Sequence, residues 1–328
     1  MNPKPVVSME DLSDLKFYEY VSLYKQSKDF DVVIIGGSYA GLSAAITLGR
    51  ALRKVLILDK GDTYNANDIY SYNFITQDGN IASAIIAKAK EQVLRYKTVR
   101  FVKDKVETVI NEHNKFTVET RRKERYSGKK ILFATGVIDM MLNIPGFKEC
   151  WGISVLYCPY CNGFEFTDTD IGIIANGETA FEMVKLLSNW SRHIILFTNE
   201  VSTLSKEQLK KIKEKNVLIV ETEIVSLEHK KGHLKNVVLK DGNIHLINSI
   251  FCKLAFLQGT DVPQNQLDCE LTGEGLIKTD VFQRTSVPGV FSAGDNCLIS
   301  RAISVAAAAG TIAGMNINKE LIEETFYL

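Results

Sequence analysis

Residues 31 to 59 constrain the fold more than any other part of the sequence, because they combine two apolar runs, a glycine turn and an acid in a fixed order. Asp31 to Ile35 is a short β-rich run that leads into Gly36-Gly37-Ser38-Tyr39-Ala40-Gly41. Leu42 to Leu52 has a helical composition, and the apolar run after it ends at Asp59. Strand, glycine turn, helix, strand and acid in this order predict a Rossmann-like dinucleotide-binding unit.

Each polar or glycine position of this first turn has an expected role. Gly36 makes the tight turn, and Gly41 allows close packing of helix on strand. Ser38 stands where the fingerprint has its middle glycine. The helix N-terminus is expected to hold a pyrophosphate, and Asp59 to accept hydrogen bonds from a ribose.

A second α/β unit follows. Ile171 to Ile174 is predicted as a strand, Ala175 to Ala180 as its turn, Phe181 to Trp190 as a helix and His193 to Phe197 as the next strand. Near the C-terminus, a strand ends in Gly294-Asp295 before an alanine-rich helix, which is predicted over 302–316. This order predicts an α/β protein with two Rossmann-like, three-layer ββα dinucleotide-binding domains, the second inserted in the first.

The expected domains are an N-terminal extension (1–30), a dinucleotide-binding domain in two segments (31–145 and 252–328) and an inserted dinucleotide-binding-like domain (146–251) that carries a cysteine pair. Leu15 to Tyr24, in the extension, is rich in aromatic residues and is predicted as a short helix.

Composition excludes several function classes. Lys+Arg and Asp+Glu are both 39, so the net charge of zero gives no drive towards nucleic acid or anionic membranes. Runs of 18 or more apolar residues are absent, and residues 1–31 do not have the pattern of a signal peptide. These patterns predict a cytoplasmic protein with no nucleic-acid or membrane partner.

Cys158-Pro159-Tyr160-Cys161 lies between the two halves of the predicted dinucleotide-binding fold, and its thiol spacing allows closure into a small disulfide ring. This is the one CxxC pair among six cysteines. A four-cysteine zinc site needs a second close pair, and the length and scattered spacing disfavour a disulfide-stapled secreted domain. The pattern therefore favours a redox pair and predicts no metal.

Taken together, the sequence resembles the thioredoxin reductase family of flavoproteins from Asp31 onward. The motifs that carry this resemblance are the first glycine turn, Ala134-Thr135-Gly136, the CxxC pair and Thr285-Ser286-Val287-Pro288-Gly289-Val290-Phe291-Ser292-Ala293-Gly294-Asp295.

The resemblance implies that the first domain binds FAD. The residues expected to contact it are Gly36, Ser38, Gly41, Asp59, Thr135, Gly136, Gly294, Asp295, Arg301, Ala302 and Ile303. It also implies that Cys161 is the flavin-proximal thiol and that Cys158 exchanges with a partner disulfide. A homodimer that reduces a thioredoxin-like protein or a small disulfide is the usual form of this family.

The second turn departs from the family pattern. A family member reads Gly-x-Gly-x-x-Ala there, whereas this chain has Ala175, Gly177 and Ala180. After the next strand, Glu200 lies in the stretch where the family places arginines for the 2′-phosphate. These changes argue against NADPH and place the chain near a subgroup with a degenerate NADPH site. NADH stays open, because an acid at a strand end can bind a free ribose.

The residue after the CxxC pair is also unusual. The reductases carry an aspartate there, proposed as a general acid, but this chain has Asn162, which is no acid at neutral pH. The surrounding segment is similar to dithiol oxidases that pass electrons to oxygen, and a further subgroup takes electrons from ferredoxin. A disulfide reductase, a dithiol oxidase and a non-catalytic flavoprotein scaffold are the functions left open, and the intact CxxC argues against the scaffold.

Overall fold

The structure is a computed structural model, and it describes residues 27–61, 70–112 and 115–326. The helix predicted at Leu15 to Tyr24 lies outside the described residues, as does most of the predicted extension.

The strands, numbered in chain order, are β1 (Asp29–Ile35), β2 (Val55–Asp59), β3 (Tyr70–Ser71), β4 (Asn80–Ile81), β5 (Val99–Lys103), β6 (Val106–Glu112), β7 (Lys115–Thr120), β8 (Arg125–Phe133), β9 (Val137–Asp139), β10 (Val155–Leu156), β11 (Ile171–Ile174), β12 (Ile194–Phe197), β13 (Leu218–Val220), β14 (Ile224–Lys230), β15 (His233–Leu239), β16 (Ile244–Leu246), β17 (Ser249–Cys252), β18 (Phe256–Gln258) and β19 (Val290–Ser292). The helices are α1 (Tyr39–Arg50), α2 (Ala82–Leu94), α3 (Phe147–Cys150), α4 (Pro159–Asn162), α5 (Gly177–Leu187), α6 (Lys206–Glu214), α7 (Val262–Asn265) and α8 (Ile303–Phe326), with a 3-10 turn at Phe164–Phe166.

The first sheet has the strand order β5-β2-β1-β8-β7-β6, with β19 beside β8. Strands β5, β2, β1, β8 and β19 run parallel, whereas β6 and β7 form an antiparallel extension. Strands β1, β2 and β19 and the last three residues of β8 are mostly apolar and buried, because both faces of the centre of this sheet are covered. These strands and the helices packed on them are called the first unit.

Helix α8 packs closely on α1 because glycines line their contact. A Cβ atom at Gly310 would lie 2.0 Å from the backbone oxygen of Ala40, and one at Gly314 would lie 3.0 Å from that of Ala44. This close approach brings the start of α8 next to the turn that precedes α1, and so it positions both for a shared site.

The second sheet has the order β10-β17-β11-β12-β13, with every pair parallel. Apolar residues of α5 and α6 form one core with this sheet, and the antiparallel sheet β14-β15-β16 contributes to another. All these strands lie between β8 and β19 in the chain, and they are called the inserted unit. The predicted α/β class with two parallel-sheet units is therefore confirmed.

The two units are joined by the antiparallel pair β9–β18, in which Ile138 faces Leu257. The predicted boundary at residue 252 falls on the last residue of β17, so it lies at the end of the second sheet. The domain limits themselves stay a prediction.

Two differences from the predicted bounds are large. The apolar residues 244–256 are predicted from the sequence as one strand, but they form three, because β16 belongs to the antiparallel sheet, β17 to the parallel sheet and β18 to the connecting pair. The C-terminal helix continues from the predicted end at Asn316 to Phe326. Lys130 from β8 pairs with Glu320 and Glu324, at 2.8 Å and 2.6 Å, and so fixes the added turns.

Candidate active site

The first turn, residues 36–41, can be built only with glycine at two positions. Gly36 has φ +111°, and a Cβ atom there would lie 2.1 Å from the backbone oxygen of Ala134. A Cβ atom at Gly41 would lie 1.9 Å from the backbone oxygen of Gly36. The turn is therefore pressed against the end of β8 on one side and against α1 on the other.

Ser38 precedes α1 in extended backbone, and its side chain makes no capping hydrogen bond. The first backbone N–H groups of a helix have no partner within the helix, and they make its N-terminus attractive to anions. The start of α1 is thus not closed by the side chain at its own N-cap.

Asp59, at the end of β2, holds the first turn in place. One of its carboxylate oxygens accepts a hydrogen bond from the Gly37 N–H at 2.6 Å, and the other accepts one from the Gly61 N–H at 2.7 Å. A carboxylate has about four acceptor positions, so these bonds leave capacity for ribose hydroxyls. The sequence indicated the ribose role, and the structure adds the role in shaping the turn.

A cavity of about 620 Å³ begins at this turn and extends to the inserted unit. The carboxyl ends of β1, β2 and β8 line it through Ile35, Asp59 and Phe133, which is where open α/β sheets bind ligands. The structure brings the predicted site residues together around this cavity: it is lined by Gly36, Ser38, Asp59, Thr135, Gly136, Cys158, Cys161, Gly294, Asp295, Arg301, Ala302 and Ile303. Gly41 does not line it, because it packs behind the turn.

The cysteine pair reaches the cavity from the inserted unit. Cys158 is the N-cap of α4, and the backbone N–H of Cys161 donates to its carbonyl oxygen at 3.2 Å. The two sulfur atoms lie 2.7 Å apart, with the Cys161 thiol donating to the Sγ of Cys158. Two thiols this close can form a disulfide with little backbone movement.

The thiol of Cys158 is set up to ionise near neutral pH. The hydrogen bond from the Cys161 thiol, helped by the backbone N–H groups of Cys161 and Tyr160, lowers the pKa of Cys158 to about 7, although burial opposes this. The thiolate is the nucleophile in thiol–disulfide exchange, so this environment favours reaction at neutral pH.

The other four cysteines are buried away from the cavity. Burial raises the pKa of Cys297 to about 12, and it also raises the pKa values of Cys150, Cys252 and Cys269. They have the properties of inert core thiols, in contrast to the pair at Cys158 and Cys161.

An aromatic contact fixes the loop that carries the pair. Tyr160 meets Trp190 edge-on, with ring centroids 5.5 Å apart. A Cβ atom at Gly163 would lie 2.5 Å from the Pro159 carbonyl oxygen and 2.9 Å from Nε1 of Trp190. Asn162, which replaces the family's aspartate, also lines the cavity. Trp190 has no predicted role in the site, because it lies far along the chain from the CxxC pair and nothing in the sequence indicates this contact.

A buried ion pair lies where the two units meet. A guanidinium nitrogen of Arg301 lies 2.7 Å from Oδ1 of Asp139, and the two side chains are 6% and 1% exposed. The guanidinium also covers the rings of Tyr157 and Phe256, at 4.6 Å and 4.9 Å from their centroids. Because Tyr157 precedes Cys158, Arg301 links the cysteine loop to β9 and β18.

Arg301 is among the site residues predicted from the sequence, but its partners Asp139, Tyr157 and Phe256 are not. Asp139, an acid that directly follows the apolar residues Val137 and Ile138, is the sequence feature that could have indicated the pair.

Asp295 is the second acid of the cavity. Burial raises its pKa to about 6, with Asp139 acting in the same direction and Arg301 opposing both. Asp295 is only partly exposed, so its carboxyl group needs hydrogen-bond donors, and a bound ligand with hydroxyl groups can provide them.

The second turn, residues 175–180, follows β11, but its last four residues already belong to α5, which is Gly177–Leu187 rather than the predicted 181–190 because Asn176 caps the helix early. The second turn does not line the cavity. Within the described ranges, no His, Cys, Asp and Glu side chains form a group of three or more that could hold a metal ion. No helix in the described part of the chain is both long and apolar enough to span a membrane.

The parallel-sheet fold, the glycine turn and the neighbouring thiols are together typical of disulfide oxidoreductases with a dinucleotide-binding fold. Residues 30–311 match the family profile described as pyridine nucleotide-disulphide oxidoreductase, and the chain belongs to this family. Its relatives and structural neighbours make it a thioredoxin reductase-like oxidoreductase.

Three relatives illustrate the match. The thioredoxin reductase tcpT of Claviceps purpurea is 27% identical, over 90% of this chain and 95% of its own length. A thioredoxin reductase of Peptoclostridium litorale is 27% identical, over 90% of this chain and 98% of its own. The crystal structure of an oxidoreductase from Agrobacterium tumefaciens is 32% identical, with a TM-score of 0.84 over 90% of this chain and 99% of its own. The predicted resemblance and the predicted enzyme class are therefore confirmed.

Proposed function

We propose that this protein is an FAD-dependent thiol–disulfide oxidoreductase whose Cys158–Cys161 pair exchanges electrons with a disulfide or dithiol substrate. The observation that carries the proposal is one cavity that joins a glycine turn of the dinucleotide-binding type to a cysteine pair with a lowered thiol pKa. Residues 31–145 and 252–328 would form the FAD-binding domain, and 146–251 the domain that carries the pair.

The residues around the cavity fit FAD. The cavity volume of about 620 Å³ lies within the usual range for ligand sites, about 300–1,000 Å³. A side chain at Gly36 would collide with Ala134 rather than leave the turn free for a pyrophosphate, and the side chain of Ser38 does not cap α1. Proteins of this family generally bind FAD. The group would be held by the first turn and Asp59 at one end, and by Asp295 and the start of α8 at the other.

When bound, the flavin supplies two-electron chemistry to the cysteine pair. The chain's own residues perform the exchange. The thiolate of Cys158 attacks a substrate disulfide, which forms a mixed disulfide and releases one substrate thiol. Cys161 then attacks Sγ of Cys158, which releases the second thiol and closes the Cys158–Cys161 disulfide. The same steps in reverse oxidise a dithiol.

Electron transfer in the opposite direction, from a dithiol substrate to the flavin, is a second candidate function. Asn162 lacks the acid of the reductases, and the second turn departs from the NADPH pattern. The altered turn favours the reverse reaction, in which a dithiol substrate is oxidised and oxygen is the final acceptor, whereas the missing acid affects proton transfer in both directions. A disulfide reductase supplied by ferredoxin has the same cysteine chemistry. A thioredoxin-like protein or a small dithiol or disulfide is the proposed partner, and a cytoplasmic homodimer is the proposed state.

The test of this function is anaerobic flavin spectroscopy on the purified protein. We expect dithiothreitol to bleach the oxidised flavin band of the wild type, and air to restore it. Cys158→Ser should contain as much flavin as the wild type but should not be bleached at a comparable rate. Cys269→Ser is the matched control, because this cysteine is buried outside the cavity. Equal bleaching of Cys158→Ser and wild type would remove the pair from the reaction.

A further inference from the structure

Asn176 closes the second turn with its own side chain. Its carboxamide oxygen accepts hydrogen bonds from the N–H of Gly177 at 2.8 Å, the N–H of Thr203 at 2.8 Å and the hydroxyl of Thr203 at 3.2 Å. Its amide nitrogen donates to the carbonyl oxygen of Val201 at 3.0 Å and to the carboxylate of Glu200 at 3.4 Å. This one side chain therefore links the start of α5 to the loop after β12.

The loop after β12 is itself held in the position that Asn176 requires. The Thr198 hydroxyl donates to the carbonyl oxygen of Glu200 at 2.6 Å. Asn199 is in the left-handed region at φ +61°, and its side chain accepts the N–H of Ile224 at 2.7 Å. Loop 198–203 is thus fixed at its start, and Asn176 joins its second half to the start of α5.

The backbone at this turn also leaves little space. Gly177 has φ +56°, and a Cβ atom there would lie 2.9 Å from the hydroxyl oxygen of Thr203. Glu178, in the first turn of α5, accepts a hydrogen bond from Gln208 of α6 at 2.7 Å. The carboxylates of Glu178 and Glu200 therefore lie near the place where a pyrophosphate would need a neutral or positive environment.

We propose that Asn176 excludes pyridine nucleotides from the inserted unit, because its carboxamide takes the position at the start of α5 that a pyrophosphate would need. This inference rests on the proposed function, since it limits which donors can reduce the redox centre. A nucleotide would have to displace Asn176 from the Gly177 N–H and separate α5 from loop 198–203. Glu200 would then face the incoming phosphates.

The experiment measures binding rather than turnover. The flavin-loaded wild type is dialysed to equilibrium under anaerobic conditions against NADPH and, separately, against NADH. Total bound nucleotide is then counted by chromatography, whatever its oxidation state. We expect no saturable binding of either nucleotide up to about 1 mM, the top of the usual range of KM values. Saturable binding of either one by the wild type below this concentration would overturn the proposal.

Two variants test whether Asn176 is the residue responsible. Asn176→Gly removes the carboxamide from the start of α5. Asn176→Gly/Glu200→Arg also replaces the carboxylate of Glu200, which would repel a phosphate, with a phosphate-binding side chain. We expect NADPH to bind about tenfold or more tightly to the double variant than to the wild type. Asn189→Gly, at an exposed position of the inserted unit, is the control and should not gain binding.

A folded double variant that gains no binding would also overturn the assignment to Asn176. Far-UV circular dichroism and flavin content establish that each variant is folded, and Asn176→Ala replaces Asn176→Gly if the glycine variant is not. Dithiothreitol bleaching of the same samples tests the proposed function separately from the role of Asn176. Loss of bleaching would contradict the proposed function, whereas the dialysis result alone decides the role of Asn176.

Discussion

The two turns of this protein have the same βαβ setting but differ in what holds the start of the helix. At the first turn, the side chain of Ser38 makes no capping bond, and the helix end faces a cavity. At the second turn, Asn176 caps α5 and binds the neighbouring loop. The difference teaches that a Rossmann-like unit can keep its fold while one side chain decides whether its helix terminus is available to a ligand.

The physical cause is the unpaired N–H groups at every helix start. A side chain from the protein can satisfy them, and the helix is then stable without a ligand. If no side chain does so, the groups bind solvent or an anion, and part of the stability comes from the ligand. In the first unit no side chain of the described residues caps the helix start, so its stability should depend more on a bound ligand than that of the inserted unit does.

The largest effect expected from the contrast is at Gly36. In Gly36→Ala the new Cβ atom would lie 2.1 Å from the backbone oxygen of Ala134, at φ +111°. Because backbone atoms cannot move away cheaply, we expect loss of bound flavin and a cost of about 3 kcal/mol or more in the free energy of unfolding. Flavin absorbance after gel filtration and urea unfolding measure both effects.

The matched change in the second turn is Gly177→Ala. Its Cβ atom would meet the movable hydroxyl of Thr203 at 2.9 Å, at φ +56°. We expect a cost of about 1–2 kcal/mol from the left-handed backbone and no change in flavin content. If Gly177→Ala lost flavin as fully as Gly36→Ala, the division of roles between the turns would be wrong.

The next effect concerns Asp295, because burial raises its pKa to about 6. The unfolded chain has an aspartate pKa of about 3.9, so ionisation destabilises the flavin-free fold by roughly 3 kcal/mol once the pH is above 6. The penalty is absent below pH ~4, where both states are protonated, and it grows as the pH rises to about 6. Asp295→Asn should therefore stabilise flavin-free protein at pH ~8 and much less near pH ~4, while it weakens flavin retention.

Urea unfolding of flavin-free protein across this pH range measures the effect. Asp168→Asn is the control, because Asp168 is exposed and does not line the cavity. A stability difference for Asp295→Asn that did not change with pH would show that its carboxyl group is not the source.

A second contrast lies within the inserted unit, between two of its thiols. The hydrogen bond from Cys161 lowers the pKa of Cys158 to about 7, whereas burial raises that of Cys252 in β17. At pH ~7 about half of Cys158 is then thiolate, against a few per cent for a free cysteine with a pKa of about 8.5. In Cys161→Ala we expect the pKa of Cys158 to rise and its alkylation at pH ~7 to slow about tenfold.

Iodoacetamide labelling, followed by peptide mass spectrometry over a pH series, measures this rate for each cysteine. Cys269→Ser should leave the profile of Cys158 unchanged, since Cys269 is buried outside the cavity. An unchanged profile in Cys161→Ala would assign the low pKa to the backbone N–H groups alone.

Local sequence patterns were enough to predict the first turn, the cysteine pair and the inserted order of the units, because each depends on residues close together in the chain. The contact of Arg301 with Asp139 and Tyr157 could not be predicted, since it depends on how two units meet. The role of Asn176 in blocking the start of α5 could be predicted only in part. The missing glycine and Glu200 indicated a changed site, but only the fold brings Asn176 and Thr203 within hydrogen-bond distance.

The smallest effect compares the two helix starts directly through alanine substitutions. Asn176→Ala removes a side chain that caps α5, so we expect it to lower the free energy of unfolding by about 1 kcal/mol. Ser38→Ala removes a side chain that makes no capping bond, so it should leave the flavin-free protein within about 0.5 kcal/mol of the wild type. Urea unfolding of flavin-free samples gives both values. Added flavin provides a control, because it should stabilise Asn176→Ala as much as it stabilises the wild type. Equal losses in the two variants would mean that both helix starts depend on their own side chains, and the contrast between an open and a closed turn would then no longer hold.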